Sequence, residues 1–214
     1  MRVESVVLVH GLWLDGTEFK WLDEWLRHDG YRVLTFQYPT VRRDLNENAE
    51  GLWEFLELRF GAGMKQVGAG TVHLVCHSLG GLVALRMLEP EAPIGRMVAL
   101  GSPFQGSFSA QRMARWAGGS WLLGRSLTGA LDGQREMRVP PGREIGVLAG
   151  MLPLGLGNLV WGLDAPNDGV VSVSETRLPG AIHATLPMMH VGLVFSRRAA
   201  HWVRHFLKTG ESEW

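Results

Sequence analysis

The sequence predicts an α/β protein whose core is a doubly wound, mostly parallel sheet of about six strands, with helices on both faces. Short apolar runs without polar alternation recur along the chain, as in strands buried on both sides. Stretches with helical apolar spacing separate most of these runs, as in repeated βα units. The length of 214 residues suits a single domain with a sizeable core, so we expect residues 1–214 to form one α/β unit.

The predicted elements alternate in order along the chain. Pro39 stops the second strand, and the first helix has Phe19, Leu22 and Leu26 on one face. The predicted strands span residues 5–10, 32–38, 72–76, 97–100, 144–149 and 181–186. The predicted helices span residues 17–27 and 45–60, a helix that begins at Leu79, and residues 191–208.

Residues 103–143 belong to no predicted strand. A structureless loop of that length would be unusual, so we expect one or two short helices there. Their apolar and aromatic content fits two arrangements: a cap inserted over a site at the edge of the sheet, or an ordinary crossover packed on the sheet. The sequence leaves both open.

Composition excludes several classes of protein. The formal net charge is zero and no long basic run occurs, so we expect no nucleic-acid partner. The single cysteine, Cys76, rules out an internal disulfide framework. We expect no signal peptide and no transmembrane segment, because the first residues lack the signal pattern and no apolar run approaches ~18 residues. These observations predict a cytoplasmic location and leave room for peripheral contact with a membrane.

The most informative pattern lies around Ser78. The β-branched and apolar run 72–76 predicts a buried strand, and beyond it the apolar spacing becomes helical. So tight a junction requires small neighbours, and Gly80, Gly81 and the modest Cys76 meet that requirement. Ser78 therefore stands at the corner, in front of a helix N-terminus with free N–H groups. A serine that only caps this helix is the alternative interpretation.

A serine hydroxyl is a weak nucleophile and needs a base, which in turn needs an orienting acid. His190 follows the last predicted strand and precedes the last helix, at the carboxyl edge where open α/β sheets bind ligands. His183 lies inside that strand and is the weaker candidate. For the acid, Asp164 and Asp168 both follow the fifth predicted strand, and the Asn-Asp-Gly string at Asp168 is equally typical of a plain turn.

Three short strings resemble those of known hydrolases. Residues 76–80, Cys-His-Ser-Leu-Gly, resemble the nucleophile elbow G-x-S-x-G of α/β-hydrolases, with Cys76 in place of the first glycine. Residues 167–169, Asn-Asp-Gly, are similar to the acid loop of bacterial lipases, which selects Asp168. Residues 8–13, Leu-Val-His-Gly-Leu-Trp, look like the H-G-x loop that follows the first parallel strand of lipases and esterases.

The resemblance to small bacterial lipases and esterases implies a role for each matching position. Ser78 would be the nucleophile, His190 the base and Asp168 the acid, in the chain order of the family. The backbone amides of Leu12 and Leu79 would form the oxyanion hole. The position of the H-G-x loop near the N-terminus also implies that the antiparallel strands of larger family members are missing.

The sequence thus predicts a serine hydrolase that cleaves carboxylic esters, with a small-molecule ester or a lipid as substrate and with no cofactor and no metal ion. Substrate contacts are expected from four aromatic residues: Trp13, Phe104, Trp116 and Trp121. An acyltransferase or an amidase could use the same residues. A catalytically silent binding protein on this fold is the alternative from another class.

Overall fold

The computed structural model describes residues 3–61, 72–88, 92, 94–116, 118–131, 137–154 and 163–213. The strands are β1 (Ser5–Val9), β2 (Arg32–Phe36), β3 (Val72–His77), β4 (Ile94–Leu100), β5 (Ile145–Gly150) and β6 (Ile182–Leu186). The helices are α1 (Lys20–His28), α2 (Leu45–Phe60), α3 (Leu79–Met87), α4 (Phe108–Ala114), α5 (Gly119–Leu131), α6 (Gly192–Phe195) and α7 (Arg197–Thr209). A 3₁₀ turn, Thr17–Phe19, leads into α1.

The six strands form one sheet in the order β2-β1-β3-β4-β5-β6, and every neighbouring pair is parallel. Side chains of successive strand residues point to opposite faces, so the core divides in two. One half packs the sheet against α2 and α3, and the other packs it against α1, α6 and α7. The predicted fold class, a doubly wound parallel sheet with helices on both faces, is confirmed.

The chain reverses its direction of winding between β1 and β3. From β1 it passes to β2 at one edge, and then returns across β1 to place β3 on the other side. The loop after β1 therefore leads to α1 on one face of the sheet, and the turn after β3 leads to α3 on the other face. Open α/β sheets bind their ligands at such a switch point.

Most predicted boundaries differ from the structure by one or two residues, and the largest differences are at β4 and in the last helix. Strand β4 begins at Ile94 rather than at residue 97, because Ile94 pairs with Val72 before a register shift in the ladder. The single helix predicted over residues 191–208 is divided at Ser196, whose backbone is extended and whose hydroxyl accepts a hydrogen bond from the Ala199 N–H. A serine that caps the second helix in this way also ends the first.

The described residues between β4 and β5 form the helices α4 and α5, in agreement with the expected one or two short helices. Ala110 of α4 and Leu123 of α5 are buried in the half of the core that contains α2 and α3. Gly124 interrupts α5 with a φ of 72°, and a Cβ there would lie 2.3 Å from the Val41 carbonyl oxygen. Among the described residues, no helix combines the length and apolar character needed to cross a bilayer.

Candidate active site

Ser78 occupies a strained turn between β3 and α3. Its φ of 52° and ψ of −119° lie in a region that residues with a side chain rarely adopt. The Ser78 N–H donates to the Leu100 carbonyl oxygen of β4 at 2.9 Å, and its carbonyl oxygen accepts from the Gly81 N–H at 3.1 Å. Both backbone groups thus support the turn, which places the side chain at the carboxyl edge of the sheet.

Glycine is required on the inner side of this turn because the neighbouring elements leave no space. A Cβ on Gly80 would lie 2.2 Å from the Val9 carbonyl oxygen, so α3 touches the backbone at the end of β1. A Cβ on Gly81 would lie 2.1 Å from the Ser102 hydroxyl oxygen. These approaches explain the Gly-Gly pair that follows the serine in sequence.

The two residues before Ser78 are buried. Cys76 is fully buried in the core, and this burial raises the pKa of its thiol, so the thiol stays protonated at neutral pH. The His77 ring lies 4.9 Å from the ring of His190, centroid to centroid. Burial, with a smaller contribution from His190, holds the pKa of His77 well below its usual value. His77 is therefore a neutral ring beside His190.

His190 and Asp168 form a buried pair. The His190 Nδ1 lies 2.7 Å from Asp168 Oδ2, and the His190 backbone N–H donates to the Asp168 carbonyl oxygen at 2.9 Å. Gly101, at the end of β4, lies beneath the ring, since a Cβ there would be 3.0 Å from His190 Nδ1. Gly150, at the end of β5, lies beneath the acid, since a Cβ there would be 2.6 Å from Asp168 Cβ.

The loop around Asp168 holds its carboxylate in a fixed orientation. Oδ1 accepts hydrogen bonds from the backbone N–H groups of Val170 and Val171, at 3.0 and 2.8 Å. Oδ2 is left for His190. Asp164, the alternative acid, is exposed, and its carbonyl oxygen accepts from the Asn167 side chain.

His183, the alternative base, is a residue of β6, as expected from its position inside the apolar run. Its Nε2 lies 2.9 Å from the hydroxyl oxygen of Thr176. Because that hydroxyl donates to the Val173 carbonyl oxygen, it accepts from the ring. Burial lowers the pKa of His183 to about 4. The ring is therefore a neutral donor bonded to a threonine.

The loop after β1 lies beside the nucleophile turn. A Cβ on Gly11 would be 3.2 Å from Ser78 Cβ. Burial lowers the pKa of His10, and its Nε2 accepts from the Tyr38 N–H at 3.4 Å while its Nδ1 lies 3.1 Å from the Gly11 carbonyl oxygen. A neutral ring that accepts at Nε2 donates from Nδ1. That bond fixes the peptide between Gly11 and Leu12, so the Leu12 N–H points the opposite way from the carbonyl.

Backbone strain is concentrated next to the two amides predicted to form an oxyanion hole. Within the described residues, Ser78 and Trp13 are the two non-glycine residues with positive φ, at 52° and 62°. Each adjoins one of these amides, Leu79 or Leu12, and neither amide N–H donates to an acceptor in the described part of the chain. Strained backbone is maintained where surrounding contacts enforce it, commonly at functional sites. Here the Trp13 N–H donates to Thr40 Oγ1 at 3.2 Å.

Glu175 links the acid loop to α4, and the sequence analysis missed it. Its Oε2 accepts from the backbone N–H of Ser172 at 2.6 Å and from the Ser172 hydroxyl at 2.8 Å. Its Oε1 accepts from the Phe108 N–H, which opens α4. Ser109 adds a bond from its hydroxyl to the Val170 carbonyl oxygen at 2.7 Å. Ser172 and Glu175 have the S-x-x-E spacing of a capping box, which was a readable signal.

The aromatic residues predicted to contact substrate lie in different surroundings. Trp13 is half-exposed, and its indole Nε1 donates to the Leu122 carbonyl oxygen of α5 at 3.0 Å. Trp116 and Trp121 are 58% and 85% exposed, on either side of the turn between α4 and α5. Phe104 is buried, and a Cβ on Gly81 would lie 3.4 Å from its ring.

The parallel sheet, the strained serine at its switch point and the histidine–carboxylate pair at the same edge are arranged as in the α/β-hydrolase fold. The sequence model of the alpha/beta hydrolase family matches residues 6–207, and the chain belongs to that family. The resemblance to small bacterial esterases and lipases that the sequence indicated is thereby confirmed.

Solved structures and a curated protein are similar to the chain. The mature lipase of Bacillus licheniformis is 21% identical, with a TM-score of 0.74 over 97% of this chain and 92% of that one. An esterase of Pyrococcus furiosus is 19% identical, with a TM-score of 0.64 over 97% and 82%. The lysosomal thioesterase PPT2-B of Xenopus laevis is 30% identical over 109 residues, which are 49% of this chain and 38% of that protein. This chain thus matches well under half of the thioesterase's length.

Proposed function

We propose that the protein hydrolyses carboxylic esters through an acyl-enzyme formed on Ser78. The observation that carries this proposal is the pair His190–Asp168, joined at 2.7 Å, at the carboxyl edge of the sheet from which the strained Ser78 turn projects. A serine that only capped α3 would need no such turn, and its hydroxyl makes no capping hydrogen bond to the helix.

The proposed reaction proceeds in two steps. In the first, Ser78 Oγ attacks the ester carbonyl carbon, His190 Nε2 takes the serine proton, and the alcohol leaves with that proton as the C–O bond breaks. In the second, a water molecule gives a proton to His190 and attacks the acyl carbon, which releases the acid and restores Ser78. Asp168 supports both steps, because its bond to Nδ1 leaves Nε2 free to accept a proton.

The amides of Leu12 and Leu79 are the proposed donors to the oxyanion. Both lack an acceptor among the described residues, and the peptide that carries the Leu12 N–H is fixed by His10. Donors that are already oriented need no reorganisation when the negative charge develops on the substrate oxygen. Loss of one such donor typically lowers turnover by about 10²- to 10³-fold.

The aromatic residues around this edge suggest an apolar acyl group. Trp13, Trp116 and Trp121 are the proposed contacts, and the exposure of each leaves surface for a substrate chain. Contact between Phe104 and substrate stays a prediction, since its ring is buried against Gly81. Each buried methylene contributes roughly 0.8 kcal/mol, so kcat/KM should rise up to several-fold per carbon along a nitrophenyl ester series. A flat profile would contradict the apolar contact.

Thioester hydrolysis is a second candidate, supported by the similarity to a lysosomal thioesterase. The same acyl-enzyme would form, with a thiolate rather than an alkoxide as the leaving group. A matched pair of substrates with one acyl group, one an oxygen ester and one a thioester, separates the two. The proposal of a carboxylic ester hydrolase expects the larger kcat/KM for the oxygen ester.

The decisive experiment is covalent labelling with a fluorophosphonate, followed by mapping of the modified peptide. We expect label on Ser78, and we expect Ser78→Ala to lose both labelling and at least ~10³-fold of the ester turnover. Ser102→Ala is the matched control, because Ser102 is fully buried nearby and its hydroxyl makes no hydrogen bond in the described residues. Undiminished turnover in Ser78→Ala would overturn the proposal, and absence of labelling would favour a silent binding protein.

A further inference from the structure

The turn between α4 and α5 exposes large apolar side chains. Trp116 lies just after α4 and is 58% exposed, while Trp121 and Leu122 lie in the first turn of α5 and are 85% and 47% exposed. We call these three residues the α4–α5 corner. When several large apolar side chains are exposed together on a monomer, they commonly mark an interaction site.

The charged residues of α4 and of its end are all basic. No Asp or Glu occurs in residues 92–131, whereas Arg112 and Arg115 lie on α4 and at its end, both exposed. The Arg112 guanidinium lies 4.9 Å from the centre of the Phe108 ring. Arg125 of α5 is paired with Asp44, so we do not count it toward the positive charge of the corner. Neither Arg112 nor Arg115 forms an ion pair within the described part of the chain, so the corner combines exposed tryptophan and leucine with two exposed positive charges.

The corner is attached to the candidate active site. The Trp13 indole donates to the carbonyl oxygen of Leu122, and Trp13 directly follows Leu12, whose amide is a proposed oxyanion donor. A surface that covered the corner would therefore lie against the loop after β1. The other end of the segment is tied to the acid loop through Glu175.

We propose that the α4–α5 corner docks the protein on an anionic lipid surface, with Trp116, Trp121 and Leu122 in the headgroup region. Indole rings favour the boundary between headgroups and acyl chains, and arginines beside them are attracted to anionic lipids. The charged residues of α4 and its end, Arg112 and Arg115, are both basic and exposed, which argues for a negatively charged surface rather than for a partner that carries both signs of charge. This docking goes beyond ester hydrolysis, because a catalytically silent protein with the same corner would bind in the same way.

The test is sedimentation of the full chain with vesicles, carried out on Ser78→Ala so that no lipid is hydrolysed. Vesicles of phosphatidylcholine with phosphatidylglycerol are compared with vesicles of phosphatidylcholine alone. We expect binding to the mixed vesicles that weakens in high salt, since salt screens exposed charges. Failure of the catalytic proposal would leave this result unaffected.

Matched variants locate the binding surface. Trp121→Ala should weaken binding about tenfold, while Trp21→Ala should not, because Trp21 is also half-exposed but lies on α1, across the sheet. Arg115→Gln should weaken binding about fivefold, while Arg59→Gln, at the end of α2, should have no effect.

Three results would overturn the proposal. They are no binding to the mixed vesicles, equal binding to both kinds of vesicle, and equal losses in Trp121→Ala and Trp21→Ala. A dimer seen by analytical ultracentrifugation without lipid, and dissolved by Trp121→Ala, would assign the corner to a second copy of the chain instead.

Discussion

Replacing Gly80 with alanine tests whether the close contact between α3 and β1 positions the proposed nucleophile turn at Ser78. Alanine is ordinarily the better residue inside a helix by about 0.8–1.0 kcal/mol. At this position, however, its Cβ would lie 2.2 Å from the Val9 carbonyl oxygen and 2.7 Å from that of His10. An ordinary contact begins at 3.4 Å, so α3 and the end of β1 must separate by about 1.2 Å.

That displacement has two expected effects. Overpacking against backbone should lower the free energy of unfolding by about 1–3 kcal/mol, despite the gain in helix propensity. Because the Leu79 N–H begins the same helix, the displacement also moves a proposed oxyanion donor. A misplacement of about 1 Å in an active site can cost on the order of 10²-fold in rate.

The assays are urea unfolding and the turnover of a short nitrophenyl ester. Gly51→Ala in α2 is the control, since a Cβ there would make only ordinary contacts, at 3.4 Å from Arg43 and 3.7 Å from Phe36. We expect that control to be stabilised by up to about 1 kcal/mol and to keep full activity. If Gly80→Ala behaves like Gly51→Ala in both assays, the reasoning is refuted.

Three further outcomes are expected. Asp168→Asn should lower ester turnover by about 10²- to 10⁴-fold, because the His190 ring loses the acceptor that fixes its tautomer. Asp164→Asn should stay within about twofold of wild type, and the reverse result would assign the role of the acid to Asp164. The pKa of His183 is about 4 in the folded protein and about 6.5 in the unfolded chain, so between pH 6.5 and 4 the unfolded chain binds a proton that the folded protein does not. The contribution of the neutral ring to the free energy of unfolding is therefore complete above pH 6.5 and is lost as the pH falls through this window. For this half-buried ring we expect a loss of about 1–2 kcal/mol, which His183→Gln should remove from the urea unfolding curves. The Cys76 thiol should react with Ellman's reagent only after unfolding, since it is fully buried and its pKa is raised; rapid reaction of the native protein would contradict its burial.

The parts of the candidate site that could be predicted are those encoded in short strings. The turn at Ser78 needs a strand, a serine and small residues in immediate succession, and the sequence displays all of them. His190 could be located because it follows a strand, and parallel strands bring their carboxyl ends to one edge. Position left Asp164 and Asp168 both open, and the resemblance of the Asn-Asp-Gly string to the acid loop of bacterial lipases selected Asp168. The helices and strands were predicted to within a few residues for the same reason, since apolar periodicity is a local signal.

The remaining features depend on contacts between distant segments. Nothing near Glu175 indicates that its second oxygen binds the N–H of Phe108, 67 positions away. The exposure of Trp121 was also not readable, because a tryptophan on an amphipathic helix is as compatible with a buried face as with a free one. The division of the last helix at Ser196 was missed because the apolar spacing continues across it.

The hydrogen bonds made by Glu175 limit how this enzyme can be divided into interchangeable parts. The segment between β4 and β5 is a natural place to graft a new specificity, since loops there are tolerated in length and sequence. Here, however, grafted residues at Phe108 would have to present an N–H to Glu175, and a replacement that did not would leave that carboxylate oxygen without its partner. The same carboxylate holds Ser172, four residues after Asp168. Such a graft should therefore replace two stretches together, residues 104–131 and residues 167–177, so that Asp168 keeps its position.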